Sequence, residues 1–251
     1  MAPGVLGTRQ AEPGPSPAPG SVGRRKLRGR RAGALHRLSC RPVERPFILH
    51  VDAHLVVVDK PADLPSVPGR AVALHDCAAS RVQALFEDAL VVHRLDMATS
   101  GLLLFARGLP AQRALNRAFE ERQVAKTYVA VVHGKPPQAQ GSIALPLIAD
   151  WPRRPRQIVD HLRGKPALTH WELLEPPGPL GTRVQLRPVT GRSHQLRVHM
   201  AALGHPILGD DLYAHDEARE LASRLLLHAT HIAFQHPEDQ RPVSFSSTPP
   251  F

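Results

Sequence analysis

The chain is poor in cysteine and has no long apolar run. Its 251 residues include only two cysteines, Cys40 and Cys77, which do not form a Cys-x-x-Cys pair, and this argues against both a disulfide framework and a cysteine zinc site. No apolar stretch approaches the roughly 18 residues that a membrane-spanning helix requires, and the N-terminal segment lacks the apolar centre of a secretory signal. Internal repeats are also absent. We therefore expect a cytoplasmic globular protein.

Histidine is abundant, with 15 residues, but its spacing does not favour a metal site. His194 and His199 are five residues apart, whereas two ligands on one helical face are four apart, as in the His-Glu-x-x-His motif. His228 and His231 differ in strand parity, so they would point to opposite faces of a strand. We predict no metal and no cofactor, and we interpret the histidines as surface and helix-capping residues.

Positive charge is concentrated near the N-terminus. The formal net charge is +10, but residues 1–46 hold ten Lys or Arg and two Glu, so residues 47–251 carry only +2. A basic excess of this kind is typical of nucleic-acid-binding proteins. The first segment is also rich in Pro, Gly and Arg and has no apolar period, so it cannot bury enough surface to offset the entropy of ordering. The sequence predicts a disordered basic tail over residues 1–46 and a folded domain over residues 47–251.

Apolar runs separated by turn residues predict several short strands. Residues 47–51 and 55–59 flank a polar turn and predict a hairpin. Because strands and helices do not alternate strictly, the pattern favours an α+β fold over a parallel α/β fold. Further strands are predicted at residues 127–132, 167–174 and 182–186.

Helical spacing of apolar residues predicts three helices, at residues 80–86, 111–122 and 193–203. In the third, Ser193 is expected to cap the N-terminus and Gly204 to end the helix. The expected core-facing residues of that helix are Leu196, Met200 and Leu203.

The most informative segment is a polar bend at residues 93–101, with the sequence HRLDMATSG. Apolar residues precede and follow it, which places the bend between two strands. Its Asp-x-x-Thr-Ser-Gly portion supplies turn-forming hydroxyls and a glycine that can adopt a positive φ. Taken alone, Asp96 could be a turn or capping aspartate. Its place on a tight bend between strands indicates instead a carboxylate that is held rigidly and remains reachable.

Four further blocks follow this bend along the chain. They are KTY at residues 126–128, TGRSHQLRVH at 190–199, GHPI with GD at 204–210, and RLLLHA at 224–229. In these five blocks, over residues 47–251, the chain resembles the RluA family of pseudouridine synthases. The segments 64–70 and 145–152 resemble the short RluA branch of dual-specificity enzymes for tRNA and large-subunit rRNA. The resemblance implies the pseudouridine synthase fold, which has a mixed, mainly antiparallel central sheet with flanking helices and an active-site cleft.

The resemblance implies an isomerase that converts specific uridines of structured RNA to pseudouridine without a cofactor. The implied substrates are the tRNA anticodon stem-loop and large-subunit rRNA, and we expect a monomer that binds no membrane. The reaction breaks the N-glycosidic bond, turns the uracil and rejoins it to the sugar through carbon. An aspartate could add to C1′, take a proton to form a glycal, or add to the base. The sequence leaves these three routes open.

The resemblance also implies catalytic roles for three residues. Asp96 would be the catalytic carboxylate, and Arg197 the cation that is paired with it and keeps it ionised. Arg197 shares a helix face with His194, three residues earlier, so that it can project into a cleft. Tyr128 would stack on the target base, and its hydroxyl could assist removal of the C5 proton.

Other residues would bind the RNA or line the base pocket. Arg94 would fill the gap left by a flipped base, because a planar cation can stack there and contact phosphate. Leu227 and Ile207 would be the apolar lining of the uracil pocket. Additional RNA contacts are expected from His93, Thr99, Lys126, Arg192, His194, Arg153 and Arg154.

Two other classes of function stay open. A non-catalytic RNA-binding or ribosome-assembly factor could retain the fold, although it would not need an enclosed carboxylate near phosphates. A glycoside or nucleoside hydrolase could use Asp96 as its nucleophile. Such enzymes generally place a second carboxylate across the scissile bond, for which Asp210 and Asp211 are the candidates.

Overall fold

The computed structural model describes residues 47–174 and 181–251. The predicted disordered tail, residues 1–46, lies outside the described residues. No helix within the described part of the chain is long and apolar enough to cross a membrane. The strands are β1 (Phe47–Val51), β2 (Leu55–Lys60), β3 (Ala89–Val91), β4 (Ser100–Arg107), β5 (Ala125–Val132), β6 (Gln140–Ile143), β7 (Leu147–Ala149), β8 (Gln157–Val159), β9 (Thr169–Leu173), β10 (Thr182–Pro188), β11 (Leu227–Gln235) and β12 (Pro242–Ser246).

Ten of these strands form one central sheet, in the order β1-β2-β4-β11-β5-β10-β9-β6, with β3 paired to β4 and β12 paired to β11. The β4–β11 pair is parallel, and the other pairs in this sheet are antiparallel. Strands β7 and β8 form a separate two-stranded sheet. The hairpin predicted for β1 and β2 is confirmed, as is the mixed, mainly antiparallel α+β architecture.

The described part of the chain contains four α-helices, of which three were predicted with slightly different bounds and the last was not predicted. The first covers residues 78–83, so it begins two residues before the predicted helix at residues 80–86 and ends three residues before the predicted end. The second begins three residues before the predicted helix at 111–122. The helices are α1 (Ala78–Gln83), α2 (Gly108–Glu120), α3 (Gln195–Ala202) and α4 (Asp216–Glu220).

Strands β2 and β4 are buried on both faces. Alternate residues of a strand point to opposite sides of the sheet, and here one set packs with α1 and the other with α2. Each strand is therefore a continuous apolar run, without the polar alternation of a half-exposed strand. The set against α1 includes Val56, Val58, Leu103 and Phe105, and the set against α2 includes Leu55, Val57, Leu102 and Leu104.

Helix α3 packs on the other half of the sheet and corrects two predictions. Its N-cap is His194, which has a left-handed φ of 54°, so Ser193 does not cap it. The core side of the helix includes Leu196 and Met200, as predicted, but Leu203 is exposed because it lies beyond the last helical residue, where the chain turns out to solvent. The predicted end of the helix at Gly204 is consistent with the left-handed φ of 87° found there.

The interpretation of the histidines as surface and capping residues is wrong for three of them. His199, His228 and His236 are buried. Each is accommodated because both ring nitrogens have polar partners, as at His228, which contacts the hydroxyls of Ser100 and Ser247 at 2.8 and 2.9 Å. Buried imidazoles with both nitrogens paired in this way are structural parts of the core.

Candidate active site

A cleft of about 500 Å³ opens between the bend at residues 93–101 and the N-terminal end of α3. It lies where two hydrophobic clusters meet, one under α1 and one under α3, and Tyr128 packs against both. Ten of the predicted site residues line this cleft. They are His93, Arg94, Asp96, Thr99, Lys126, Tyr128, Arg192, His194, Arg197 and Leu227.

The bend that carries Asp96 is fixed on both sides. Before it, Ser66 both accepts from the backbone N–H of Leu95 at 3.0 Å and donates to the Leu95 carbonyl at 2.7 Å. After it, Gly101 has a φ of 108°, and a Cβ there would lie 2.3 Å from the carbonyl oxygen of Ala229 on β11. Only glycine permits β4 to approach β11 so closely. The Asp96 side chain remains 23% exposed, so it is held rigidly and is still reachable, as the sequence predicted.

Lys60 also holds this bend, and sequence reasoning missed it. Its ammonium is buried at the end of β2 and donates to three carbonyls, those of Pro61, Leu64 and Met97, at 2.8, 2.8 and 3.0 Å. Burial lowers the pKa of Lys60 to about 7. The Met97 carbonyl belongs to the residue after Asp96, so Lys60 ties the bend at residues 93–101 to the loop that follows β2. A lysine at the end of a strand, two residues after the apolar run at residues 55–58, was the available signal.

Arg197 joins two carboxylates at the base of the cleft. It forms two hydrogen bonds to Asp210, with Nε–Oδ2 and Nη2–Oδ1 distances of 2.8 and 2.6 Å. Its Nη1 lies 3.9 Å from Asp96 Oδ2. Burial alone would lower the pKa of Arg197, but the hydrogen bonds and charge of Asp210 raise it above its usual value. The predicted pairing of Arg197 with Asp96 is thus accompanied by a closer pairing with Asp210.

Asp210 is fully buried, and neither of its carboxylate oxygens is left to accept a hydrogen bond from a ligand in the cleft. Besides Arg197, it accepts backbone N–H groups from Leu212 and Tyr213 at 2.9 and 3.1 Å. The hypothesis that Asp210 supplies the second carboxylate of a hydrolase is therefore wrong, because both of its oxygens are bound within the protein. Its role as the partner of Arg197 was missed by the sequence analysis.

His194 faces Asp96 from the same side as Arg197. Its Nε2 is 3.8 Å from Asp96 Oδ1, and its Nδ1 is 2.7 Å from the hydroxyl of Tyr213. Burial lowers the pKa of His194, with Asp96 acting in the opposite direction. The two oxygens of Asp96 therefore face different groups of the α3 region, His194 at Oδ1 and Arg197 at Oδ2.

Tyr128 lies on β5 beside the carboxylate. Burial raises the pKa of its hydroxyl, and the charge of Asp96 raises it further. The phenol is therefore neutral at physiological pH. A neutral ring in this place is suited to stacking and to hydrogen bonding.

The rim of the cleft carries cations. Arg94 and Arg192 are exposed, whereas Lys126 is partly buried over the ring of Phe119, with its pKa lowered by burial. His93 stacks on the same ring, at 4.8 Å between centroids, and its Nε2 accepts the backbone N–H of Leu104 at 2.9 Å. Burial, and then the charge of Lys126, lowers the pKa of His93 to about 3. His93 is consequently a neutral ring in the wall of the cleft.

Three predicted site residues lie outside the cleft. Arg153 pairs with Asp150, and Arg154 lies over the exposed ring of Trp151. Ile207 is fully buried in the core beside β5, where it bridges to Val132, so it does not line the base pocket.

Tyr213 connects the cleft to the segment that carries these arginines. Its hydroxyl accepts the backbone N–H of Gln157 on β8 at 2.8 Å and also contacts His194. Its ring lies 5.2 Å from the Arg197 guanidinium. Sequence reasoning missed this residue, although it stands only three positions after the end of the block at residues 204–210.

Comparisons with known proteins identify the family of this chain. The family model for RNA pseudouridylate synthase matches residues 54–202. The Dual-specificity RNA pseudouridine synthase RluA of Pasteurella multocida is 50% identical over 216 residues, which cover 85% of this chain and 99% of that protein. The protein of the same name from Escherichia coli K12 is 50% identical over 212 residues, which cover 84% of this chain and 97% of the relative.

Solved structures give the same result. Human RNA Pseudouridylate Synthase Domain Containing 1 superimposes with a TM-score of 0.69 at 30% identity, over 82% of this chain and 84% of that one. Human RNA Pseudouridylate Synthase Domain Containing 4 gives a TM-score of 0.65 at 25% identity, over 81% and 88%. The family model, the identity to these relatives and the superposition on these structures together show that the chain belongs to the RluA family of RNA pseudouridine synthases and is an isomerase.

Proposed function

We propose that this isomerase acts on two kinds of RNA, a tRNA anticodon stem-loop and large-subunit rRNA. The dual specificity in the names of its relatives supports this, since the chain matches nearly their whole length. The observation that carries the catalytic proposal is the fixed Asp96 carboxylate, which faces His194 and Arg197 in a cleft of about 500 Å³. Pockets of this size accept ligands as large as a nucleoside.

In the proposed mechanism, Asp96 is the group that starts bond breaking. Its carboxylate adds to C1′ of the ribose, takes a proton to form a glycal, or adds to the base. Arg197 is charged at physiological pH, as arginine side chains are in proteins, and its cation faces the Asp96 carboxylate. The detached uracil turns in the pocket and rejoins the sugar through C5, with the Asp96 carboxylate released from C1′ or from the base, or returning its proton to the glycal, according to the route. The base then loses the C5 proton. These steps involve no redox change and no group donor.

The target base is proposed to lie between Tyr128 and Leu227. Tyr128 stacks on the uracil ring, and Leu227 supplies an apolar wall of the cleft. Because burial and the charge of Asp96 keep the phenol neutral, its hydroxyl acts as a hydrogen-bonding group during removal of the C5 proton rather than as a tyrosinate.

The RNA backbone is proposed to contact the cationic rim. Arg94 occupies the gap left by the flipped base, and the cations at Lys126 and Arg192 neutralise phosphates, together with polar groups at His93, Thr99 and His194. The second contact region is the segment around Trp151, which is 67% exposed and stacked by Arg154. An exposed aromatic ring beside arginines is suited to stacking on an unpaired base.

The competing functions have less support. A hydrolase would need a second carboxylate across the cleft. Of the two candidates, Asp210 is bound to Arg197 by two hydrogen bonds, and Asp211 is not among the residues that line the cleft. A non-catalytic RNA-binding factor would have no use for a carboxylate placed between a buried arginine and a histidine.

We also propose a monomeric protein of the cytoplasm in which residues 47–251 are the catalytic domain and residues 1–46 a basic tail. The tail holds ten Lys or Arg against two Glu, so it would add sequence-independent affinity for RNA. A protein shortened to residues 47–251 is expected to keep its turnover at saturating RNA. Its affinity for RNA is expected to depend less on salt, since each phosphate neutralised on a single strand contributes roughly 0.7 to the slope of log affinity against log salt.

The test of the proposed substrates is a map of pseudouridines in total RNA from cells with and without the gene. Loss of one site in tRNA and one in large-subunit rRNA is expected, and both should return with the wild-type gene but not with a gene encoding Asp96→Asn. Loss in only one RNA class would limit the enzyme to that class. An unchanged map would contradict the proposed substrates.

A further inference from the structure

His194 has an unusual conformation at the start of α3. Its φ of 54° is left-handed, and it makes no side-chain capping bond to its own helix. The imidazole instead lies between the hydroxyl of Tyr213, 2.7 Å from Nδ1, and the carboxylate of Asp96, 3.8 Å from Nε2. Left-handed backbone at a non-glycine residue persists only where the surroundings enforce it, and such residues cluster at functional sites.

The hydrogen bonds of Tyr213 indicate which imidazole nitrogen carries the proton. The backbone N–H of Gln157 can only donate, so the Tyr213 oxygen accepts that bond, at 2.8 Å. The hydroxyl has one proton of its own to donate, and Nδ1 of His194 is the acceptor beside it. A neutral imidazole whose Nδ1 accepts must carry its proton at Nε2.

The opposite tautomer is disfavoured by Asp96. With the proton at Nδ1, the lone pair of Nε2 would face a carboxylate oxygen, which also only accepts, and the two groups would repel each other. With the proton at Nε2, the imidazole presents a donor to Asp96 Oδ1 while Arg197 faces Oδ2. Hydrogen bonds of catalytic groups are often long without substrate and shorten when it binds.

We propose that Tyr213 is a positioning residue that holds His194 in its Nε2-protonated tautomer, so that His194 offers a hydrogen-bond donor to Asp96. The inference rests on the proposed catalytic role of Asp96. It requires a neutral imidazole, and burial favours that form by lowering the pKa of His194. The nearby cations Arg197 and Arg94 act in the same direction, whereas Asp96 and Asp210 oppose it.

The same hydroxyl joins the active site to the segment between β7 and β8. Gln157 is the first residue of β8, and the residues just before it include the proposed RNA contacts Arg153 and Arg154. A shift of this segment would change the acceptor bond at Tyr213 and with it the orientation of His194. Tyr213 therefore couples the position of an RNA-binding segment to the catalytic carboxylate.

The first experiment is Tyr213→Phe in the full chain, with histidine side chains labelled with nitrogen-15. The wild type should show His194 with an unprotonated Nδ1 and a protonated Nε2, assigned by the loss of these signals in His194→Gln. Tyr213→Phe removes only the hydroxyl, so it should lose this tautomer preference. We expect kcat to fall about 10-fold, as for the loss of one well-oriented hydrogen bond, with the KM for RNA nearly unchanged.

A second pair of variants tests the donor without changing Tyr213. His194→Gln keeps an N–H donor that can reach Asp96, whereas His194→Leu removes it, so the first should retain clearly more kcat than the second. Wild-type His194 protonated at Nδ1, equal kcat for the two His194 variants, or an effect of Tyr213→Phe on KM alone would each overturn the inference. The two kinetic outcomes presuppose an active wild-type enzyme, whereas the tautomer of His194 can be measured without activity, so failure of the proposed function itself would be recognised separately, by an absence of pseudouridine.

Discussion

The floor and the rim of the cleft hold their charged side chains in different ways. The floor is defined by Asp96, His194, Arg197 and Asp210, and the rim by Arg94, Lys126 and Arg192. On the floor, the side chains of Arg197 and Asp210 are 5% and 1% exposed and joined by two hydrogen bonds. On the rim, Arg94 is exposed and has no ion-pair partner among residues 47–174 and 181–251.

Because of this difference, we expect the floor of the cleft to serve the chemistry and the rim to serve RNA binding. A buried ion pair is costly to break, so it fixes the geometry around Asp96. An exposed cation contributes little to folding and remains available to a phosphate. Substitutions on the floor should therefore change kcat on every RNA or change stability, and substitutions on the rim should change how RNA is bound, through KM, its salt dependence or the difference between a folded and a flexible RNA.

The largest expected effect is that of Asp96→Asn, which tests the floor directly. The amide keeps the shape of the side chain but cannot act as nucleophile or base, so turnover should fall by about 10³-fold or more. Release of tritium from RNA labelled at uridine C5 measures it. RNA affinity and thermal stability should match the wild type, and substantial tritium release by the variant would contradict the assignment of Asp96.

The next effect concerns the buried pair of Arg197 and Asp210, whose disruption should lower both turnover and stability. Arg197→Met leaves Asp210 as a buried carboxylate without its cation, so we expect a loss of about 3–5 kcal/mol in the free energy of unfolding. Adding Asp210→Asn removes that charge while keeping an acceptor for the backbone N–H groups of Leu212 and Tyr213.

The double variant should therefore regain much of the stability but none of the activity, because Asp96 still lacks its cation. Urea unfolding and the tritium assay measure the two properties separately. If turnover returned together with stability, Arg197 would have only a structural role.

A third effect is loss of stability in acid. His93 is neutral in the folded state down to about pH 3, whereas an unfolded histidine takes up a proton near pH 6.5. Between these values the unfolded state binds more protons, so the stabilisation is complete above pH 6.5 and is lost as the pH falls. At pH 5, His93 alone should remove about 2 kcal/mol from the free energy of unfolding.

Urea unfolding at pH 7.5 and pH 5 measures this loss. His93→Gln retains an acceptor for the Leu104 N–H but does not titrate, so it should reduce the difference between the two pH values. His161→Gln, on an exposed histidine, is the matched control and should leave the difference unchanged. His194, His199 and His228 also have pKa values lowered by burial, so part of the acid lability should survive His93→Gln.

The features predicted correctly from the sequence are those fixed by local chain geometry. The bend around Asp96 could be recognised because its hydroxyls and Gly101 are the residues that a tight turn between strands requires. The partner of Arg197 could not, because the pairing with Asp210 depends on how the segment after α3 folds back. Ile207 shows the same limit, because the sequence of the block at residues 204–210 does not distinguish an apolar side chain that faces a pocket from one that packs in the core.

The smallest expected effect is on the rim, at Arg94. Because this side chain is exposed, Arg94→Ala should leave the free energy of unfolding within about 0.5 kcal/mol of the wild type. If Arg94 fills the space of the flipped base, the variant should lose more turnover on a folded anticodon stem-loop than on a flexible single strand that carries the same uridine.

Arg192→Ala is the comparison, since a cation that only neutralises a phosphate should raise KM on both RNAs and lower the salt slope by roughly 0.7. Equal losses of turnover on the two RNAs for Arg94→Ala would mean that Arg94 organises the bend around Asp96, which would assign it to the floor.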